Sequence, residues 1–270
     1  MRISPVSNNY YTNYKTNSIY GKIASGKRIR TAADDAAGLA IANKLKKQGN
    51  GFDVASNNIS DGIGVANIQD GALGTMQDSL QRIRELSLKA SNGIYGSDDK
   101  EMFQAEIDQL LQDIERTAVG TQYNEKNLLD GSMADMYIAS NPSAGEGMSI
   151  KMENATLKAL GIEGYNVTGD FNIKDIDAAM DKISMARSRT GASTNAMYHA
   201  YNYTRSASEE MLSSRSRIED LDIGKAVSQQ KSEKLMKDYR MSMLRRKMQD
   251  DNSLVVRMFG KNKGEPDKNS

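Results

Sequence analysis

Asp34 and Asp35 stand side by side at the head of a helical pattern, adjacent carboxylates that invite an acid/base or metal-binding reading. Two acids directly ahead of a helix also accept hydrogen bonds from its free N–H groups, and that capping reading needs no catalysis. His199 is the single histidine; it lies among Tyr198 and Tyr201 on a polar helical stretch and reads as a solvated or packed residue. With no Cys there is no disulfide, thiol nucleophile or thiolate metal site. No His-Glu-x-x-His, phosphate-binding Gly-Lys-Ser/Thr loop or nucleophile elbow occurs either. These residues point to a non-enzyme without cofactor or metal, whose chemistry is helix capping, ion pairing and apolar packing.

The elements that would carry such packing are long. Only 3 Pro, no Trp and 4 Phe in 270 residues favour extended helices laid side by side over a compact globule. Apolar or small residues recur at seven-residue steps through Leu45, Phe52, Ile59, Ala66, Leu73 and Leu80, with Ala55, Met76, Ile83 and Ala90 as companions. Gly62, Gly64, Gly71 and Gly74 interrupt this stripe at about 1 kcal/mol each relative to Ala, so the helix must lean on neighbours. Asn92 to Gly96 ends it. Ser97 is the expected cap of a second helix, with Asp98 and Asp99 in its first turn and Phe103, Ile107, Leu110, Leu111 and Ile114 on one face as far as Gly120. Met136 to Ala139 and Met148 to Met152 alternate around Asn141-Pro142-Ser143-Ala144-Gly145, the pattern of a β-hairpin. After a capping Asn172, Ile176, Ile183, Thr190, Met197, Thr204, Met211 and Ile218 mark a further helix about 65 Å long. The fold class is mainly α: a long antiparallel rod of about three helices with a small β-hairpin.

The ends differ from this rod. Met1 to Ile23 offers few apolar anchors and cannot bury enough surface to fold by itself. Lys225 to Ser270 carries twelve Lys/Arg against six Asp/Glu, with an apolar line of Leu235, Met236, Tyr239, Met243, Leu244 and Met248. That pattern fits a helix awaiting a partner, and a basic membrane-binding helix is the alternative. The overall charge of +1 gives no global attraction for nucleic acid or an anionic membrane. No secretory leader and no run of about 20 apolar residues is present.

Two blocks carry a family resemblance. Ser25-Gly26-Lys27-Arg28-Ile29-Arg30-Thr31-Ala32-Ala33-Asp34-Asp35-Ala36-Ala37-Gly38-Leu39-Ala40-Ile41-Ala42-Asn43 resembles the N-terminal signature of bacterial flagellins, and Ser216-Arg217-Ile218-Glu219-Asp220-Leu221-Asp222 resembles the C-terminal one. Leu80-Gln81-Arg82-Ile83-Arg84-Glu85-Leu86 and Asn127-Leu128-Leu129-Asp130-Gly131 are similar to further family stretches. The resemblance implies a filament subunit whose two ends meet in space, are disordered in the monomer, and form a coiled-coil-like pair on assembly. The expected organisation is an N-terminal assembly helix over 1–24, rod over 25–130, a β-hairpin region over 131–171, rod over 172–222, an assembly helix over 223–260 and a tail over 261–270. No large outer domain fits between the halves. The implied signature turn comprises Ser25, Gly26, Asp34 and Asp35, and the implied assembly contacts are Ile3, Val6, Tyr10, Leu235, Tyr239, Met243 and Leu244. The implied partners are further copies of the chain, an export chaperone at the C-terminal segment, and an innate immune Toll-like receptor meeting Arg82, Leu86 and Asp113. Arg82 and Leu86, four apart, share a helical face, though Leu86 reads equally as core. The implied location is the extracellular flagellum, reached without a cleaved signal peptide. In such a bacterial protein the N-glycosylation patterns Asn154-Ala155-Thr156 and Asn166-Val167-Thr168 read as chance. Two departures stand out: Met1-Arg2-Ile3-Ser4 is closer to the opening of the hook-filament junction relative, and Arg245-Arg246-Lys247 follow Met243-Leu244 where small polar residues are usual.

Overall fold

A computed structural model describes residues 19–143 and 145–260. In chain order these form α1 (19–25), α2 (Ala36–Ala90), α3 (Ser97–Gly120), β1 (Gln122–Tyr123), β2 (Lys126–Asn127), β3 (Asp135–Ala139), β4 (Gly147–Lys151), α4 (Leu157–Leu160), α5 (Ile173–Glu219) and α6 (Ile223–Gly260). Two compact units emerge: Lys46–Leu212, and the described residues of the two ends, 19–45 with 213–260.

Within Lys46–Leu212, α5 runs antiparallel to α2. As α2 partners fall from Arg84 through Asp70 to Gly49, their α5 partners rise from Asp177 (2.6 Å) through Arg187 (3.0 Å) to Met211. The expected stripes face each other: Ile59, Ala66, Leu73, Met76, Leu80 and Ile83 on α2, and Ile176, Ile183 and Met197 on α5, are all buried in one core. Thr190 and Thr204 sit in that seam because their hydroxyls donate to the Ala186 and Tyr201 carbonyls of their own helix, which removes the cost of burying a free polar group. Helix α3 folds back beside α2, adding Ile107, Leu111, Ile114 and Ala118 to the core.

Its start corrects one expectation. Gly96, not Ser97, is the residue ahead of the helix: its carbonyl accepts from Lys100 N (3.2 Å), and its own N–H donates to Asp99 Oδ2 (3.1 Å). Asn172 does cap α5, accepting from Lys174 N at 3.1 Å.

Strands β3 and β4 pair antiparallel with Ile138 opposite Met148 and Met136 opposite Ile150, so one face of the hairpin is apolar. That face lies along α2, fixed at one end by Asn58 Nδ2 donating to Ala139 O (3.2 Å) and at the other by Gln69 Nε2 donating to Lys151 O (3.2 Å). The α2 glycines divide accordingly. A Cβ at Gly62 would lie 3.1 Å from both Ile138 Cγ1 and Met197 Sδ, whereas one at Gly71 meets nothing within 4 Å. Gly71→Ala should therefore gain about 0.5–1 kcal/mol and raise the melting temperature by roughly 2 °C. Gly62→Val, forced against two side chains, should lower it in the same calorimetric scan.

A second, two-residue hairpin, β1 with β2, turns through Asn124 (φ 48°) and Glu125 (φ 64°). Beyond it the Asn127 to Gly131 stretch closes on itself: Asp130 accepts from Asn127 Nδ2 (2.7 Å) and Ser132 N (2.9 Å), and Leu128 and Leu129 are buried. Among the described residues, 131–171 hold the β3–β4 hairpin, α4 and loops.

In the end unit, α2 starts nine residues before the Leu45 at which its apolar stripe begins. Asp35 is its cap, accepting from Gly38 N at 2.8 Å. Asp222 caps α6 in the same way, through Lys225 N at 3.0 Å.

Candidate functional site

The two terminal blocks meet in the end unit. Helix α1 stops at Ser25, whose hydroxyl donates to Lys22 O (3.1 Å), and Gly26 takes the left-handed conformation (φ 67°) that lets the chain reverse. The reversed chain pairs with the end of α5. Arg28 N donates to Glu219 O (2.7 Å), Leu221 N to Gly26 O (2.9 Å), and Arg28 Nη2 to Ile218 O (2.7 Å). Those bonds satisfy carbonyls that a helix C-terminus otherwise leaves open.

Ion pairs lock the junction. Glu219, its side chain only 9% exposed, receives Lys27 Nζ at 2.5 Å on one oxygen and Arg215 Nε at 2.7 Å on the other. Lys27, followed by Arg215, holds the Glu219 carboxyl below its ordinary range. Asp34 accepts from Arg30 N (3.1 Å) and Thr31 N (3.2 Å) and pairs with Lys22 (2.8 Å); the Lys22 hydrogen bond is the largest cause of its much depressed pKa. The adjacent acids thus do separate structural work, Asp34 closing the loop and Asp35 capping α2. Because the folded carboxyl of Glu219 is the stronger acid, its contribution is complete above the usual carboxylate range and is lost as pH falls through the folded value. Glu219→Gln should cost about 1–2 kcal/mol at pH 7. In paired thermal melts the gap to the parent should begin to narrow as pH falls below the ordinary carboxylate range and close only below the depressed folded value.

Helix α6 has little covering it. Ala226 is buried, but Leu235, Met236, Tyr239, Met243, Leu244 and Met248 are exposed, as are Leu254, Val255, Val256 and Met258. At 100° per residue these side chains spread around most of the circumference, broader than a single line. Lys, Arg, Asp and Glu are interspersed with them around the same helix. Arg245, Arg246 and Lys247 lie exposed among them. Ile3, Val6 and Tyr10 lie outside the described residues.

The remaining candidates sit in Lys46–Leu212. Arg82 is half-exposed and paired with Glu106 (2.7 Å) and Glu85 (3.4 Å). Leu86, four residues on, is 1% exposed and belongs to the core, so it presents no apolar knob on the surface. Asp113 pairs with Arg116 at 3.3 Å. His199 is exposed. Both Asn-x-Thr triplets turn inward on themselves, Asn154 and Asn166 each accepting from the N–H and hydroxyl of their own Thr156 and Thr168. Among the described residues no group of three or more acidic or histidine side chains could hold a metal, and no helix is long and apolar enough to cross a membrane.

Known families account for the junction. The bacterial flagellin N-terminal helical region matches residues 5–134 and the bacterial flagellin C-terminal helical region matches residues 173–257, each containing one side of it. The chain belongs to the bacterial flagellin family. This flagellin is 35% identical over 210 residues to a flagellin of Halalkalibacterium halodurans, covering 76% of this chain and 77% of that protein. It is 31% identical over 235 residues to flagellin FlaB1 of Treponema pallidum, covering 80% and 82%. The crystal structure of Bacillus cereus flagellin superposes with a TM-score of 0.50 at 26% identity, over 55% of this chain and 88% of that one. This flagellin is mainly helical, with long helices and two small antiparallel strand pairs, as expected. Its family is one of structural filament subunits. Among the described residues, β3, β4, α4 and their loops lie between the two matched regions.

Proposed function

We propose that this flagellin polymerises into an extracellular flagellar filament and so serves motility, with α6 as the element that other subunits bury. The observation that carries the reading is α6 itself, a 38-residue helix whose Leu235, Tyr239, Met243 and Leu244 are exposed in the single chain. Burying four such side chains contributes on the order of 6 kcal/mol or more per subunit. The ionic junction at Glu219 supplies a fixed origin for α6, so that both termini leave from one place. Residues 1–23 complete the assembly surface together with α6, and the unassembled α6 engages an export chaperone, the chain leaving the cell without a cleaved signal peptide. A Toll-like receptor recognises the outer helices around Arg82 and Asp113; the part of that surface available to it is the Arg82 guanidinium with its Glu106 partner.

One feature favours a second reading, a junction or accessory subunit. Arg245, Arg246 and Lys247 are exposed, none of them in an ion pair among the described residues. Cations carried into a packed inner tube destabilise it unless partnered there. Adding purified protein to filament fragments and imaging the product by electron microscopy separates the readings. Long growth supports the filament subunit, a single added layer supports the junction subunit, and neither outcome, together with steep salt-dependent vesicle binding, supports a membrane module. Deleting residues 1–23 should stop growth.

A further inference from the structure

We infer that the methionines of α6 form a peroxide-sensitive modification site which, once oxidised, switches the unassembled subunit out of polymerisation; the assembly half of this inference rests on the filament reading above. Five of the 16 methionines fall within α6: Met236, Met241, Met243, Met248 and Met258. All five are exposed, Met248 to 65% and Met258 to 73%. The methionines of the helical core are shielded instead, Met76 at 0% and Met197 at 1%. The chain therefore contains its own controls, the same thioether in opposite environments.

The chemistry is a two-electron oxygen transfer. A thioether lone pair of Met attacks one oxygen of hydrogen peroxide, an S–O bond forms, the O–O bond breaks, and the departing hydroxide takes up a proton to leave as water. Sulfur is oxidised to the sulfoxide and the peroxide is reduced. The product replaces a flexible apolar side chain by a polar one with a strong acceptor oxygen, and methionine sulfoxide reductases reverse it. On a solvated helix this change is tolerated. On a helix whose apolar side chains must be surrounded by others it is not, because each sulfoxide then needs a hydrogen-bond donor in a packed interior. Two neighbouring residues sharpen the effect: Tyr239 and Leu244 flank Met241 and Met243, so the modified atoms sit in the middle of the segment that assembly would bury. Oxidation would thus mark subunits before they are incorporated, and incorporated subunits would be protected.

The test uses the full chain. The unassembled protein is treated with hydrogen peroxide and mapped by peptide mass spectrometry; the α6 methionines should gain oxygen roughly tenfold faster than Met76 and Met197. Equal rates would overturn the inference. The oxidised protein, the untreated protein and an M236L/M241L/M243L/M248L/M258L variant, the last both before and after the same treatment, are then each added to filament fragments. Oxidised parent protein should fail to grow, treatment should leave the variant's own growth unchanged, and a methionine sulfoxide reductase should restore the parent. Growth of parent protein carrying sulfoxide at all five positions overturns the switch. An untreated parent that does not grow contradicts the filament reading and removes the assembly half with it, while the oxidation map decides the accessibility half on its own.

Discussion

Replacing Leu235, Tyr239, Met243 and Leu244 by serine should abolish growth on filament fragments while leaving the thermal unfolding of the Lys46–Leu212 helices unchanged. The four side chains are exposed, with Leu235 at 70%, and contribute nothing to the folded single chain that their removal could take away. In a polymer each would be buried, and losing four apolar contacts weakens subunit addition by on the order of 6 kcal/mol, about four decades in the concentration needed for growth. The dissociation between the two readouts is the point. A destabilised fold would lower the melting temperature and growth together, whereas an assembly surface loses growth alone. Growth persisting at the parent protein's concentration would remove α6 from the assembly surface.

Leu80→Ala should do the opposite, lowering the stability of the helical core by about 3–4 kcal/mol and its melting temperature by roughly 10 °C. Leu80 is fully buried on α2, within a turn of Arg82 and Arg84, which pair with Glu106 of α3 and Asp177 of α5, so the cavity left by truncation should be enclosed. Calorimetry or denaturant unfolding of the unassembled chain reads the effect directly. A shift below about 1 kcal/mol would mean that the site relaxes, and that the three-helix packing around it is looser than its burial indicates.

These two substitutions mark what was legible in the amino-acid order and what was not. Seven-residue spacing identified the α2 and α5 stripes because Ile, Leu and Met at one helical face leave a strong periodic signal, and Leu73, Leu80, Ile176 and Ile183 all enter the core. The first nine residues of α2 carry no such stripe, and their helix was marked instead by the acids ahead of it. Of Ala36 to Lys44 only Gly38 and Ala42 are buried, and small residues carry too little hydrophobicity to register. The β1–β2 turn was silent for a related reason: Asn124-Glu125 adopts positive φ without the glycine that usually announces such a turn. Gly96 escaped notice as the residue ahead of α3 because it has no side chain; Asp99 reaches back to it instead.

The junction was half legible. Both terminal blocks stood out as motifs, and Asp35 as a cap followed from its place before Ala36. The pairing of Lys27 and Arg28 with residues 218–221 is a long-range contact that no local pattern encodes, and Glu219 as the carboxylate shared by Lys27 and Arg215 emerged only from the folded chain. Leu86 shows the reverse limit. Spacing placed it on a face with Arg82, but helical spacing alone does not say which part of that face points inward, and the fold buries it.

Hydrogen exchange of α6 measured in the unassembled subunit and in the filament tests the central claim most directly. If α6 is the helix that other subunits surround, its amides from Leu235 to Met248 should exchange rapidly in the single chain and become strongly protected on assembly, while those of Leu73 and Ile183 stay protected in both. Equal protection of α6 in the two states would contradict the account.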